Sequence, residues 1–169
     1  MSLTVVDATE EHLPAIAAIY AHAAEESHAT FDLEGPPVEW WREVAEREEL
    51  LAAVEDGEVL GYAKSGNFKD RRAYDTTREI SAYVHADHRG KGVGNALYTE
   101  LLRRLDATDG LLMAVGGVAQ PNPASDALHV GHGFTVVGTF ENAGVKFGRA
   151  WSVRWYQRPL GGGGRSRVA

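Results

Sequence analysis

The spacing of apolar residues changes along the chain, and each change marks a new element. Leu3–Val6 is short and β-branched and reads as a first strand. Leu13, Ile16, Ile19, Tyr20 and Ala23 then recur three and four residues apart, which is the signature of one buried helical face. Thr9 is placed to cap that helix, Glu10 and Glu11 fall in its first turn, and Pro14 sits near the start, where proline costs least. Gly35-Pro36-Pro37 breaks the pattern, and Val38–Glu46 carries Trp40 and Trp41 on a second helix. Apolar Leu50–Glu55, the turn dipeptide Asp56-Gly57 and Val59–Ala63 predict a hairpin. Ser65–Thr77 is polar, basic and aromatic and reads as a long loop or a strand extension, after which Glu79–His85 alternates as a strand.

Past a glycine-rich basic loop, His88–Gly94, the residues Val93, Leu97, Leu101 and Leu105 repeat every four positions and predict a helix. Leu111–Val115 is a wholly apolar strand, Ala124–Val130 a short helix ended by Gly131–Gly133, and Thr135–Phe140 with Ala150–Gln157 an antiparallel strand pair. The order β-α-α-β-β-β-α-β-α-β-β describes an α+β domain. Residues 1–160 are expected to form this single domain. Residues 161–169, with four glycines and two arginines, are expected to be a disordered tail.

A length of 169 residues suits one domain. The chain has no cysteine, which excludes cysteine nucleophiles, thiolate metal sites and disulfides. A net charge of −7 argues against a nucleic-acid partner. No apolar run is long enough to cross a bilayer, and Met1–Asp7 lacks the features of a secretory leader, so a soluble cytoplasmic protein is expected. His129 and His132 lie three apart but lack the other ligands of a known zinc motif, so no metal is expected.

The chemistry concentrates in Ser81–Leu97. There a strand enters a glycine-rich turn that opens an amphipathic helix. Such a turn aims backbone N–H groups at one point, the helix N-terminus adds partial positive charge, and glycines let the backbone approach a phosphate closely. Arg89 and Lys91 place cations beside it, so the loop reads as a pyrophosphate cradle. The dinucleotide fingerprint would need glycine where Asn95 stands, and the nucleotide triphosphate loop would need Ser or Thr where Gly92 stands. The plain alternative is a glycine-rich connection without a ligand.

Arg89-x-x-Gly92-x-Gly94 resembles the R/Q-x-x-G-x-G/A signature of the GNAT acetyltransferase superfamily, in its strand-loop-helix setting. Asn122-x-x-Ser125, followed by Ala127-Leu128-His129 and Gly133-Phe134, is similar to the second cofactor motif of that superfamily. Glu79-x-Ser81-x-Tyr83-Val84, Pro121-Asn122, His129, Thr30-Phe31 and Gly144–Gly148 resemble its phosphinothricin and methionine sulfoximine acetyltransferase branch. The resemblance spans roughly residues 3 to 158. It implies a mixed central sheet of about seven strands flanked by about four helices, with acetyl-CoA in a V-shaped split between two parallel strands.

By the same resemblance, the backbone of Ala82, Tyr83 and Val84 holds the pantetheine arm. Arg89, Gly90, Lys91, Gly92, Val93, Gly94 and Asn95 hold the pyrophosphate, and Asn122 and Ser125 the region near the thioester. The Val84 N–H is the implied donor to the thioester oxygen. Glu79 is the candidate base and His129 a candidate proton relay. Set against these roles, a strand-end surface glutamate and a satisfied core histidine remain open. Phe31, Arg71, Arg72, Tyr74 and Lys146 are the candidate acceptor contacts, because cations and aromatics suit an acceptor bearing a carboxylate or phosphinate. A solvated loop is the alternative for the basic stretch. The branch further implies a homodimer. The reading is thus an acetyl-CoA-dependent N-acetyltransferase acting by direct transfer on the amine of a small amino-acid-like molecule. A peptide N-terminal acetyltransferase and a non-catalytic acyl-CoA sensor are the alternatives.

Overall fold

One sheet runs through the molecule in the order β1-β2-β3-β4-β5-β7-β6. Its strands are β1 (Thr4–Asp7), β2 (Leu50–Glu55), β3 (Glu58–Asn67), β4 (Thr77–Val84), β5 (Met113–Ala119), β6 (Thr135–Lys146) and β7 (Arg149–Pro159). The helices are α1 (Leu13–Glu26), α2 (Val38–Arg47), α3 (Val93–Ala107) and α4 (Pro123–Gly131). The computed structural model describes residues 2–161. Seven strands and four helices match the expected α+β fold, and β4–β5 is the parallel pair among otherwise antiparallel neighbours.

The sheet has a core on each face. On one, α3 buries Val93, Leu97, Leu101 and Leu105 against Ala63, Ile80, Ala114 and Val118. On the other, Leu13, Ile16 and Ile19 of α1 and Trp41 and Val44 of α2 pack on Ala52, Val59 and Tyr62. Alternation along β4 divides its residues between the two: Ile80, Ala82 and Val84 join the α3 side, while Tyr83 joins the α1–α2 side.

Several boundaries differ from the sequence expectation. Thr9 precedes a single 3-10 turn, Glu10–His12, so α1 proper begins at Leu13. β3 continues through Lys64–Asn67, because its cross-strand register with β4 persists to Asn67↔Arg78. The rest of that polar stretch is loop, with a 3-10 turn at Arg72–Tyr74. β6 and β7 extend well past their apolar centres and meet at Phe147-Gly148, both at positive φ (53° and 71°), which suits a two-residue hairpin turn. At the C-terminus Gly161 belongs to the domain, its N–H donating to Asp106 Oδ1 at 2.8 Å. The expected tail at 162–169 lies outside the described residues.

Candidate active site

The parallel pair β4–β5 is in register only at Thr77↔Met113, Arg78↔Ala114 and Glu79↔Val115. Beyond Glu79, β4 stays paired with β3 as far as Val84, and β5 stays paired with β7 as far as Ala119. The two strands therefore part at Glu79, and a gap opens between their C-terminal halves. The His85 N–H donates to Leu60 O of β3 at 2.8 Å. Because successive peptide groups point to alternate edges of a strand, the N–H groups of Ala82 and Val84 face the gap, and that of Tyr83 faces β3.

At the wide end of the gap stands the glycine-rich turn. Gly90 and Gly92 have φ of +75° and +82°, a region that disfavours side-chain-bearing residues. The first N–H of the α3 ladder is that of Ala96, bonded to Gly92 O at 3.0 Å, so the N–H groups of Val93, Gly94 and Asn95 precede the ladder. Gly94 faces the Leu128 side chain of α4, where a Cβ would make ordinary van der Waals contact at 3.6 Å. Arg89 and Lys91 are exposed beside these donors, and neither is in an ion pair among the described residues. Free N–H groups, a helix N-terminus and two unpaired cations form an anion cradle that suits a pyrophosphate.

At the narrow end Glu79 lines a cleft of about 640 Å³ with Tyr20, Asp32, Trp40, Lys64 and Tyr83 among its walls. Packed aromatic rings back this cleft: Tyr20–Tyr83, Trp41–Tyr62 and Tyr62–Tyr83 have centroids 5.2, 5.0 and 5.7 Å apart, with Trp41 and Tyr62 buried behind it. Burial raises the Glu79 carboxyl above its ordinary value, opposed by the positive charges of Lys64 and then Lys69. A half-buried carboxylate of raised basicity is therefore aimed into an aromatic cleft where two parallel strands separate.

Comparison with known proteins agrees with this geometry. The acetyltransferase (GNAT) family pattern matches residues 14–134. A phosphinothricin N-acetyltransferase of Streptomyces coelicolor is 40% identical over 164 residues, covering 89% of this chain and 92% of that protein. The chain belongs to the GNAT acetyltransferase family. An L-methionine sulfoximine/L-methionine sulfone acetyltransferase of Pseudomonas paraeruginosa is 36% identical, covering 95% of this chain and 96% of its own. A phosphinothricin acetyltransferase of Sinorhizobium meliloti, solved with acetyl-CoA, superposes with a TM-score of 0.92 at 30% identity, covering 100% of this chain and 94% of that one. The protein is an acetyl-CoA-dependent N-acetyltransferase, with acetyl-CoA as cosubstrate.

Within this GNAT fold, several expected site residues are placed differently from one another. Asn122 caps α4, its Oδ1 accepting from the Ser125 N–H at 3.2 Å, and its NH2 group has no hydrogen-bond partner among the described residues. His129 sits on the opposite face of the sheet from Glu79. It is buried, it stacks on Tyr156 at 5.1 Å between centroids, and its Nε2 would lie 2.6 Å from a Cβ on Gly116. Its Nδ1 lies 2.8 Å from Ser125 O, a pure acceptor, so Nδ1 carries the proton and Nε2 accepts from the Tyr98 hydroxyl at 3.1 Å. Burial also lowers its pKa. The expectation of a relay is thus met by a neutral core histidine with both nitrogens engaged. His132 instead pairs with Asn95 Oδ1 at 2.9 Å, and the two histidines do not converge on one point.

The expected acceptor contacts also divide. Tyr74 meets Phe68 edge-on at 5.8 Å, and Phe68 meets Trp155 at 6.2 Å, so the Arg71–Tyr74 turn is tied to the Glu79 face through aromatics. Arg71 and Arg72 are exposed on that turn and do not line the cleft. Phe31 lies flat on Gly144, where a Cβ would fall 2.5 Å from its ring. Lys146 is only 3% exposed, and its ammonium donates to Ser27 O, Thr30 O and Asp32 O at 2.7, 2.8 and 2.7 Å. All three donors are used, so Lys146 braces the α1–α2 loop rather than meeting an acceptor.

Sequence reasoning missed Lys64, Tyr20 and Asp32. The Tyr20 hydroxyl is shared between Thr30 Oγ1 at 2.8 Å and the Asp32 carboxylate, which fixes one wall of the cleft. Continuing the strand alternation from Tyr62 would have placed Lys64 on the Glu79 face.

Proposed function

We propose that the protein acetylates the primary amine of a small amino-acid-like acceptor, of the phosphinothricin, methionine sulfoximine or methionine sulfone type, by direct transfer in a ternary complex. The observation that carries this reading is Glu79, half-buried in an aromatic cleft at the point where β4 and β5 part. Acetyl-CoA supplies the activated acetyl thioester. The cradle at Arg89–Asn95 suits its pyrophosphate, and the inward N–H groups of Ala82 and Val84 suit its amide arm. Glu79 takes the proton from the acceptor ammonium, because only the neutral amine has a lone pair to donate. The Val84 N–H is placed to stabilise negative charge developing on the thioester oxygen. His129 acts by holding α4, and with it Asn122, against β5 and β7. The 35–40% identity to phosphinothricin and methionine sulfoximine/sulfone acetyltransferases over most of the chain supports a small acceptor over a peptide.

The test is thiol release from acetyl-CoA with phosphinothricin, methionine sulfoximine, methionine sulfone, a polyamine and short peptides. The protein contributes no thiol background. Turnover is expected to be highest with the three amino-acid analogues. Turnover confined to peptides or polyamines would displace this reading, and coenzyme binding without any turnover would favour a sensor.

We infer further that the enzyme is a cytoplasmic homodimer. Among the described residues no helix is long and apolar enough to cross a membrane. β6 is an edge strand exposing Val136, Val137, Phe140 and Val145 along its length, and long apolar edges of this kind need a cover. Phe140→Glu is expected to halve the mass seen by sedimentation at micromolar concentration. An unchanged mass would remove β6 from the interface.

A further inference from the structure

The acceptor cleft is lined by three carboxylates, Asp32, Glu34 and Glu79, and among the described residues by one cation, Lys64. Of the other basic groups near this side, Lys146 spends its donors on three carbonyls, and Arg149 and Lys69, over the Trp151 and Phe68 rings at 4.1 and 4.9 Å, do not line the cleft.

Lys64 differs from all of these. It lies on β3 opposite Ser81, and the next pair on the same face is Gly66↔Glu79, so its side chain and that of Glu79 share one face as diagonal neighbours. Its Nζ is 3.6 Å from Glu48 Oε2, an ion pair too long for a hydrogen bond, and each of the two side chains is 26% exposed. Glu48 Oε2 is itself buried without a hydrogen-bond partner and is wedged over Gly66, where a Cβ would fall 2.7 Å away. Glu48 therefore directs the ammonium without saturating it, and Lys64 has no hydrogen-bond acceptor among the described residues. A largely covered lysine whose ammonium keeps open donors toward a cleft calls for an anionic ligand.

We propose that Lys64 binds the carboxylate of the acceptor and, together with Glu79, fixes both ends of its amino-acid head group. This assignment rests on the acceptor reading given above. In an α-amino acid one carbon separates the ammonium from the carboxylate, so diagonal neighbours of opposite charge on one strand pair can hold both. With Glu79 at the nitrogen and Lys64 at the carboxylate, the amine presents a fixed face to the gap between β4 and β5. A charge-assisted contact of this kind also discriminates, because an uncharged analogue leaves the ammonium unpaired.

The experiment compares methionine sulfone with its α-carboxamide as acceptors for the wild type, Lys64→Met and Lys64→Arg, using thiol release at saturating acetyl-CoA. Both acceptors need the same base, so any change in Glu79 ionisation cancels in their ratio. Lys64→Met is expected to lower the kcat/KM ratio of carboxylate over carboxamide by about 10- to 100-fold, chiefly through KM, and Lys64→Arg to restore most of it. An unchanged ratio overturns the assignment, whether activity on both acceptors stays high or falls together, because a merely structural lysine moves both equally. Wild-type turnover of neither acceptor, with acetyl-CoA bound, overturns the acceptor reading and the assignment with it. Wild-type turnover of the two acceptors therefore separates the two failures.

Discussion

Glu79→Gln is expected to lower kcat by about 10²- to 10⁴-fold, the usual contribution of a positioned general base. Glutamine keeps the shape and loses only the ability to take a proton, and the residue lies outside the pyrophosphate cradle. Acetyl-CoA affinity, read by calorimetry, should therefore stay within a few-fold of the wild type. The pH profile gives an independent reading. Burial raises the Glu79 carboxyl above its ordinary 4.5, against the opposing charges of Lys64 and Lys69. A base works only when deprotonated, so kcat/KM should fall as pH drops through this raised value, at a higher pH than an exposed glutamate would give. The variant should lose that limb and keep only the dependence set by the acceptor amine. A kcat within about 3-fold of the wild type would mean that Glu79 is not the base and that water or the acceptor itself disposes of the proton.

The second large effect is on stability. Lys146→Met removes an ammonium that holds three carbonyls of the Ser27–Asp32 segment. That segment joins the two sides of the molecule. His28 stacks on Trp151 of β7 at 4.1 Å and bonds Pro121 O at 2.8 Å, the Tyr83 hydroxyl donates to Ala29 O at 3.4 Å, and Asp32 reaches Tyr20. Methionine fills the space and avoids the cost of burying a charge, which already lowers the Lys146 pKa. It supplies no donor, however, so the carbonyls lose charge-assisted bonds. The expected net loss is about 2–3 kcal/mol, or a fall in Tm of about 5–10 °C for a domain of this size. With the segment released, KM for the acceptor should rise while acetyl-CoA affinity holds, because Asp32 and Tyr20 wall the cleft and lie outside the cradle. An unchanged melting temperature would show that water replaces the ammonium at no cost.

Much of the cofactor side was legible in the chain because its signals are local. The four-residue repeat of Val93, Leu97, Leu101 and Leu105 and the glycines at 90 and 92 report a helix and its entry turn within about fifteen residues. The Asp56-Gly57 hairpin and the α1 stripe are legible for the same reason, since each is a relation between near neighbours. Glu79 was reached through resemblance, and its raised pKa was a condition that only burial could meet.

The roles of Lys146, His129 and Lys64 depend on which surfaces meet, and local pattern carries no record of that. In sequence Lys146 is a cation beside an aromatic, much like the basic residues at Arg71 and Arg72, but its partners lie more than a hundred residues away on the α1–α2 loop. His129 shares a motif with the cofactor loop, yet the turn of α4 directs it onto Gly116 and Tyr156, on the far face of the sheet from Glu79. Lys64 lies where β3 loses its apolar pattern, and only cross-strand hydrogen bonding to β4 continues the strand and brings the ammonium beside Glu79. The sequence by itself determined the order of the elements and the family, and it carried the glycine-rich turn at the start of α3. Tertiary structure decided which charges are spent on the fold and which are left for chemistry, because a charged side chain is satisfied by whatever non-local partner the packing brings to it.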